Sequence, residues 1–359
     1  MTEAKNRYGR TAARVHKALG RARRPSTPTI DIHSHILVPQ AAAFAGPHLA
    51  KSAEPLSRFS DPLGREINAA QEKDRLPLML EIGKRLADMD LMGVDIQLVA
   101  PAPMQCYYGL GASEAATAHR LVNEGVAEFV ARRPDRFLGL GIVSLQEPEL
   151  AIAELETVMS KLGLEGVQIL TNVRGEELSE ERFGPFFAKA EMLGAFIMMH
   201  PSGFTHAERL QRWYLNNVIG NPLDTTVALH SLILSGTLAR HPELKLMAVH
   251  GGGFLPAYSG RIDHAWGARE DTRADLALPP TTYLRLVYLD TVVFGAAQLQ
   301  ALLDLFGPDR LLMGTDYPFD MGEYDPIGHI AGLEQIDERT LAALAGGNAA
   351  RVLGMQSPG

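Results

Sequence analysis

The chain has 359 residues, of which 46% are hydrophobic and 21% charged, a balance typical of a globular protein with one large core. Its formal net charge of −8 argues against a nucleic-acid partner, and no apolar run approaches the roughly 20 residues that a membrane span needs. The single cysteine, Cys106, excludes an internal disulfide and fits a reducing cytoplasm; without a Cys-His-Asn context it is expected to be a small, semi-buried thiol.

The first 28 residues differ in composition from the rest. Residues 1–24 contain eight Lys or Arg and one acidic residue, Glu3, and a Pro-rich stretch runs on to Pro28. The segment has no apolar centre and is not a secretory signal, although an Arg-rich start is also compatible with a mitochondrial transit peptide. We interpret residues 1–28 as a basic arm or linker that can lie on a partner subunit, and residues 29–359 as one domain.

From residue 29 onward, short strands alternate with longer amphipathic helices. The strand candidates are rich in Val, Ile, Leu and Met with little alternation, which is typical of parallel strands buried on both faces. In chain order they are Ile30–His35, Asp95–Ala100, Phe137–Val143, Gly166–Leu170, Phe196–His200, Lys245–His250, Leu286–Asp290 and Leu311–Asp316. Helical patterns, each followed closely by Gly or Pro, include Glu114–Arg133, Pro148–Leu162, Thr225–Arg240 and Ala297–Phe306.

Eight such strand–helix units predict an α/β fold, a closed (β/α)8 TIM barrel. A doubly wound open sheet is the alternative, but that fold usually carries a Gly-rich phosphate loop after strand one. Here strand one ends in His33-Ser34-His35-Ile36 instead. The stretch from Val38 to Leu76 predicts a long loop, which would lie over the mouth of the barrel.

Five residues at the predicted strand ends point to one site. His33 and His35 stand at positions i and i+2 of strand one, so their side chains share a face and can bind one cation. His200, His250 and Asp316 each end a later strand. A lone His-x-His pair is usually incidental, but barrel enzymes place catalysis at the carboxyl ends of their strands, where all five residues lie.

The residue types suggest metal chemistry. Three imidazoles and a carboxylate suit Zn²⁺, and less specifically Mn²⁺ or Fe²⁺. A bound cation lowers the pKa of water toward neutrality. His250 remains as a spare imidazole suited to proton transfer, and Gly251, Gly252 and Gly253 allow the backbone to approach a substrate closely.

Longer motifs surround these residues: Ile219–Thr226, His250–Pro256, Gly260–His264, Gly314–Gly322 and Gly346–Arg351. Together they resemble the aminocarboxymuconate-semialdehyde decarboxylase family of the amidohydrolase superfamily. The resemblance covers residues 29 to about 355 and leaves out the basic arm.

The resemblance implies a metal-dependent hydrolase type of barrel that holds one metal, usually zinc, on His33, His35, His200 and Asp316. It implies that His250 is the catalytic acid/base and that the reaction removes CO₂ from an unsaturated or aromatic carboxylic acid. Two-metal members carry a carboxylated lysine at the end of strand four. This chain has no lysine there, so one metal is expected.

Substrate contacts are also implied by the resemblance. The residue matching Arg261 enters the neighbouring subunit's site, which makes a homodimer the expected working unit. Trp213 and Phe319 match aromatic positions that line the pocket. An arginine after strand one contacts substrate in the family; Arg65 is our candidate, with Arg75 as the alternative.

Other polar residues receive secondary roles. Asp290 ends strand seven and is a candidate for orienting a ligand histidine. His264 is a candidate neighbour of the site, and Arg174, which follows strand four, could meet an anionic substrate. His119 and His230 lie on predicted helices, where structural roles are expected.

Three functions follow from these observations. The first is a decarboxylase, in which either hydroxide adds to the substrate or substrate oxygens chelate the metal. The second is a hydrolase or hydratase that uses the same hydroxide on a small carboxylate, lactone or ester, because likeness of fold alone does not fix the reaction. The third, a non-catalytic metal-binding protein, is disfavoured by the presence of both His250 and Asp316.

Overall fold

Eight parallel strand segments form the centre of the computed structural model, which describes residues 20–49, 55–273 and 276–355. The strands are β1 (Ile30–Ile36), β2 (Ile96–Pro101), β3 (Phe137–Gly139), β4 (Gly141–Ile142), β5 (Gly166–Leu170), β6 (Asn172–Val173), β7 (Glu176–Glu177), β8 (Phe196–His200), β9 (Lys245–Ala248), β10 (Tyr288–Asp290) and β11 (Leu311–Leu312). β3 and β4 together make one barrel segment, and β6 pairs with β7 in a separate antiparallel hairpin.

The strands close into a ring. Hydrogen-bonded neighbours run β1-β2-β3 in one sheet and β4-β5-β8-β9-β10-β11 in the other. Between β3 and β4, the amide of Leu140 donates to the carbonyl of Val99 at 2.9 Å, which continues the wall. At the other seam the amide of His35 donates to the carbonyl of Tyr317 at 2.7 Å. The predicted (β/α)8 barrel is therefore confirmed.

Apolar side chains cover both faces of the strand wall. β8 shows the alternation, because Phe196 and Met198 belong to one buried cluster while Ile197 and Met199 belong to another. The first cluster also contains Ile30, Ile32, Leu98, Ala100, Leu140, Met247, Val249 and Leu312. Burial on both faces explains why the strands read as nearly continuous apolar runs.

Helices pack around this wall and follow the strands along the chain. They are α1 (Pro39–Ala45), α2 (Pro55–Arg58), α3 (Pro62–Leu80), α4 (Ile82–Met92), α5 (Ala112–Ala131), α6 (Pro148–Ser160), α7 (Gly184–Leu193), α8 (Asn221–Leu234), α9 (Thr237–Arg240), α10 (Ser259–Ala268), α11 (Glu270–Arg273), α12 (Pro280–Leu284), α13 (Ala296–Phe306), α14 (Pro326–Ala331), α15 (Glu338–Ala342) and α16 (Asn348–Val352).

Several predicted elements differ from the structure. The stretch predicted as a loop from Val38 to Leu76 is largely helical, and Asp61 caps α3 by accepting from the amide of Gly64 at 2.7 Å. The helix predicted over Thr225–Arg240 is broken by Gly236, whose φ of 75° no helix accommodates. The strands predicted to reach His250 and Asp316 end earlier, at Ala248 and Leu312.

Part of the predicted arm contacts the barrel. Arg24 pairs with Asp95, and the guanidinium of Arg23 donates to the carbonyl of Ala331. The prediction for residues 1–19 lies outside the described residues. Within the described residues, no helix combines the length and the apolar character that crossing a membrane would require.

Candidate metal centre

The first strand brings two histidines together at the centre of the barrel mouth. The Nε2 atoms of His33 and His35 are 3.1 Å apart, and both side chains are fully buried. The pairing register between β1 and β2 shifts between Asp31 and Ser34, so the alternation is interrupted within this strand. The sequence spacing therefore predicted the convergence of the two rings, but not the irregularity that accompanies it.

Three later segments bring their side chains to the same point. His200 ends β8, and its ring centre lies 5.2 Å from that of His33 and 5.0 Å from that of His35. Asp316 Oδ1 lies 3.2 Å from His35 Nε2, and Asp316 Oδ2 lies 3.4 Å from His250 Nε2. One ligand atom each of His33, His200, His250 and Asp316 lie within 4.8 Å of one another.

Sharp turns deliver two of these residues. Beyond the ends of β9 and β11, His250 and Asp316 have φ values of 55° and 57°, in the left-handed region that non-glycine residues seldom occupy. Gly251 follows at φ 61°, and a Cβ there would lie 2.4 Å from a methyl of Val293. Such conformations persist mainly where surrounding structure fixes them, which is common at functional sites.

The outer nitrogens of three imidazoles are already engaged. Nδ1 of His33 contacts Asp290 Oδ2 at 2.7 Å, and Nδ1 of His35 and of His200 contact the carbonyls of Pro101 and Pro201 at 3.3 and 2.6 Å. Each acceptor requires a proton on Nδ1, so in the neutral form of each ring the unprotonated Nε2 faces the centre. Three lone pairs then converge with the Asp316 carboxylate.

Two buried atoms at the centre lack a hydrogen-bond partner in the described part of the chain: His200 Nε2 and Asp316 Oδ1. Unpaired buried polar atoms are costly and call for an explanation. A cation at the centre would accept all of these lone pairs at once. The residues present therefore fit a divalent metal ion, and the imidazole and carboxylate donors suit Zn²⁺ or Mn²⁺.

The electrostatics of three of the four candidate ligands agree with metal ligation. For His33, burial is outweighed by the neighbouring carboxylates of Asp316 and Asp290, which raise the pKa of its imidazole. Burial lowers the pKa of His35 to about 4, and burial together with the neighbouring imidazoles lowers the pKa of His200 well below its usual value. Burial opposes ionisation of Asp316, but the surrounding histidines outweigh it and hold the pKa well below the ordinary range. His35 and His200 are thus neutral and Asp316 is ionised, which are the forms that bind metals.

A buried polar network lies beneath the site. Asp31 accepts from the amide of His33 at 3.1 Å and from the hydroxyl of Thr315 at 2.6 Å, so it ties the strand of His33 to the segment of Asp316. Gln97 donates to Asp31 at 2.8 Å, and the fully buried Arg85 donates to Gln97 at 3.0 Å and to the carbonyl of His35. We found no sequence signal for these roles beyond the proximity of Asp31 to His33.

A cavity of about 1010 Å³ opens above the site. Its lining includes His200, His250, Asp316 and Phe319, and the side chain of His250 is 16% exposed. The ring of Phe319 is 5.0 Å from that of His35. The Arg75 guanidinium lies 4.9 Å from the Phe319 ring centre and also lines the cavity.

Other predicted substrate residues lie elsewhere in the single chain. Arg65 is exposed and donates to the carbonyl of Ser60, so the alternative candidate, Arg75, is the arginine that reaches the cavity. Trp213 is 79% exposed, and its neighbour Tyr214 lines the cavity instead. Arg261 is exposed on α10 and is not part of the lining.

The secondary predictions have mixed outcomes. Asp290 lies where the prediction requires, since its Oδ2 contacts Nδ1 of His33, a candidate metal ligand, at 2.7 Å. Arg174 donates to the carbonyls of Tyr108 and Leu110 and is engaged in holding a loop. His119 is buried and contacts Ser144 Oγ at 2.8 Å, as a structural residue would.

Comparisons with known proteins identify a family and several relatives that the chain resembles. The family model described as Amidohydrolase matches residues 30–355. The 2-amino-3-carboxymuconate-6-semialdehyde decarboxylase of Dictyostelium discoideum is 34% identical over 272 residues, which cover 76% of this chain and 76% of that protein. The gamma-resorcylate decarboxylase of Rhizobium radiobacter is 30% identical over 263 residues, 66% of this chain and 76% of that protein.

A solved structure shows the same architecture. The 5-carboxyvanillate decarboxylase from Sphingomonas paucimobilis superposes with a TM-score of 0.83 at 26% identity, and the match covers 92% of this chain and 100% of that chain. The family match over residues 30–355 includes all five residues predicted for the site, which are His33, His35, His200, His250 and Asp316.

Proposed function

The chain belongs to the amidohydrolase family, and on that premise we propose that it is a metal-dependent, non-oxidative decarboxylase of a small unsaturated or aromatic carboxylic acid. The observation that carries the proposal is that the Nε2 atoms of His33, His35 and His200 and the carboxylate of Asp316 face one point at the floor of a cavity, where His200 Nε2 and Asp316 Oδ1 have no hydrogen-bond partner among the described residues. The names of the relatives support the same reaction, since all three release a carboxylate group as CO₂.

His33, His35, His200 and Asp316 would hold one divalent cation. His250 also lies within reach of this point, but the environment of its ring differs from that of the other three. Nδ1 of His33, His35 and His200 is engaged by an acceptor, whereas Nδ1 of His250 has no hydrogen-bond partner in the described part of the chain. We therefore assign the metal to the first four residues and the proton chemistry to His250.

When bound, the metal would act as a Lewis acid that stabilises negative charge on substrate oxygens, the largest contribution in many enzymes. Zinc is the ion that we propose, and manganese suits the same donors. The end of β5 and the residues that follow it, Leu170 to Asn172, contain no lysine that could bridge a second ion.

His250 performs the proton transfer. The bond between the substrate carbon and its carboxylate breaks, the electron pair stays on the carbon, and CO₂ leaves. The imidazole of His250 lines the cavity and delivers a proton to that carbon, after which solvent restores the proton. His33 and His35, by contrast, have no exposed surface and cannot exchange protons with a substrate directly.

Positively charged side chains would bind the substrate. Arg75 stacks on Phe319 at the cavity wall, and no hydrogen bond to its guanidinium is found within the described residues. A planar guanidinium suits a bidentate contact with a carboxylate. The partner subunit's Arg261 would supply a second such contact in a homodimer, and Trp213, exposed in the single chain, would be covered there.

Paired variants test the division of roles. Asp316→Ala should lose most of the roughly one equivalent of divalent metal, whereas His250→Asn should retain it and lose about 100-fold or more in turnover. Metal content is read by elemental analysis and turnover by CO₂ release. Full metal in Asp316→Ala would contradict the ligand set, and near-normal turnover of His250→Asn would remove His250 from the mechanism.

A further inference from the structure

The segment that carries Asp316 continues into a second acidic residue that the proposed reaction does not use. The amide of Phe319 donates to the carbonyl of Asp316 at 3.0 Å and closes a tight turn. The next residue, Asp320, lines the same cavity as Asp316 and His250. A carboxylate in this position can contact a molecule that occupies the cavity above the candidate metal centre.

Tyr214 holds that carboxylate in place. Its hydroxyl donates to Asp320 Oδ1 at 3.1 Å, and its side chain is half-buried against the cavity. Trp213 and Tyr214 have consecutive φ values of 57° and 60°, a conformation that is unfavourable for bulky residues. Such strain persists where the surrounding structure fixes it, and the hydrogen bond to Asp320 is one of the contacts that fix Tyr214.

Arg75 supplies a positive charge to the same cavity wall as the Asp320 carboxylate. It lies over Phe319, the last residue of that turn, and its charge opposes the rise that burial causes in the pKa of Asp320. The cavity wall beside the metal centre thus presents a cation and an anion next to each other. A substrate that carries only carboxylate and apolar groups would satisfy one of them.

We propose that Asp320, positioned by Tyr214, is a specificity-determining residue that accepts a hydrogen bond from a hydroxyl or amino group at one further position of the substrate, separate from the groups that reach the metal centre. The proposal rests on the proposed function and narrows its substrate class. An ionised carboxylate only accepts hydrogen bonds and offers about four lone-pair positions, of which Tyr214 fills one.

Desolvation supplies the selectivity. A substrate without a donor would displace water from Asp320 and leave a partly buried carboxylate without compensation, which is unfavourable. A donor in the right position would replace the water with a charge-assisted hydrogen bond. Sites built to bind a substrate hydroxyl or amine discriminate strongly against analogues that lack it.

Binding by zinc-loaded His250→Asn protein tests the subsite without turnover. The probes are salicylate and derivatives that carry a hydroxyl, amino or methoxy group at each remaining ring position, measured by calorimetry. At one ring position, the hydroxyl or amino derivative should bind at least about tenfold more tightly than the methoxy derivative. Adding Asp320→Asn should reduce that ratio to less than about threefold, because the new amide can donate to the methoxy oxygen.

Two further variants complete the test. Tyr214→Phe should lower the ratio in part, and Asp304→Asn, which changes an exposed carboxylate on α13, should leave it intact. The absence of any selective ring position, or a ratio that Asp320→Asn does not alter, would overturn the inference. Selectivity that depends on Asp320, without CO₂ release from any probe by the wild-type chain, would support the subsite and contradict the proposed function.

Discussion

Replacing Asp290 by Asn is expected to weaken metal binding, although Asp290 is not itself one of the proposed metal ligands. Asp290 Oδ2 contacts His33 Nδ1 at 2.7 Å, and Oδ1 accepts from the amides of Gly251 and Val292 at 2.9 and 3.1 Å. Since two amides require an acceptor, the Asn oxygen should take the Oδ1 position. Its NH₂ group would then face His33 Nδ1.

That arrangement changes the tautomer of His33. An NH₂ group can only donate, so Nδ1 must accept and the proton moves to Nε2, the atom that faces the centre. A protonated Nε2 cannot bind a metal ion. Removing such an orienting partner typically costs 10- to 100-fold in metal affinity, or about 1.4 to 2.7 kcal/mol.

The assay is competition for zinc against a chromogenic chelator, with Asp224→Asn as the matched control. Asp224 is also buried, but its carboxylate accepts from Thr171 and Asn172 and contacts none of the metal ligands. We expect the zinc dissociation constant to rise at least tenfold in Asp290→Asn and to stay within twofold in the control. An unchanged constant in folded Asp290→Asn would refute the tautomer argument.

Three other predictions concern the dimer, the network beneath the site and pH. Mixing inactive Arg261→Ala and Asp316→Ala chains under conditions of subunit exchange should restore part of the activity, because one site of the mixed dimer receives neither defect. Mixed dimers that form but stay inactive would place Arg261 outside the partner's site. Thr315→Val removes the hydroxyl that donates to Asp31 at 2.6 Å and should weaken zinc binding severalfold, whereas Thr315→Ser keeps a hydroxyl and should not. Equal zinc affinities of the two variants would show that the contact does not position the proposed ligands. Burial raises the pKa of Asp224 from 3.8 to about 6, so the stability that its protonated carboxyl contributes is present below about pH 4 and is lost as pH rises through 6. Between these pH values, the free energy of unfolding of Asp224→Asn, measured in urea, should therefore rise by up to about 3 kcal/mol relative to that of the wild type. A difference between the two proteins that does not change with pH would contradict the shift.

The metal centre was largely predictable because its residues follow from strand geometry. His33 and His35 share a strand, and His200 is the last residue of one, so their positions follow from period-two alternation and from the common edge of a barrel. His250 and Asp316 were also found, although they lie past the strand ends on turns with positive φ. Both were predicted as the last residues of strands, and the turns that follow β9 and β11 bring them to the same edge of the barrel.

The cavity wall was less predictable because helices and loops determine it. Arg65 and Arg75 both lie on α3, a helix that we predicted as a loop, and the choice between them depends on which helix face meets the cavity. Trp213 is exposed and Tyr214 faces the cavity because both residues have positive φ values. Neither position is a glycine, so nothing in the sequence indicated this turn. Asp320 gave no signal of its own, since its role depends on Tyr214, which is 106 residues away in the chain.

Formation of CO₂ tests the central claim most directly. Chain stripped of metal by a chelator and then given one equivalent of zinc or manganese should release CO₂ in step with substrate loss from at least one aromatic or muconate-type acid. His250→Asn treated in the same way should release at least about 100-fold less. Metal-dependent cleavage of an ester or lactone with no CO₂ from any acid would contradict the account and identify the chain as a hydrolase.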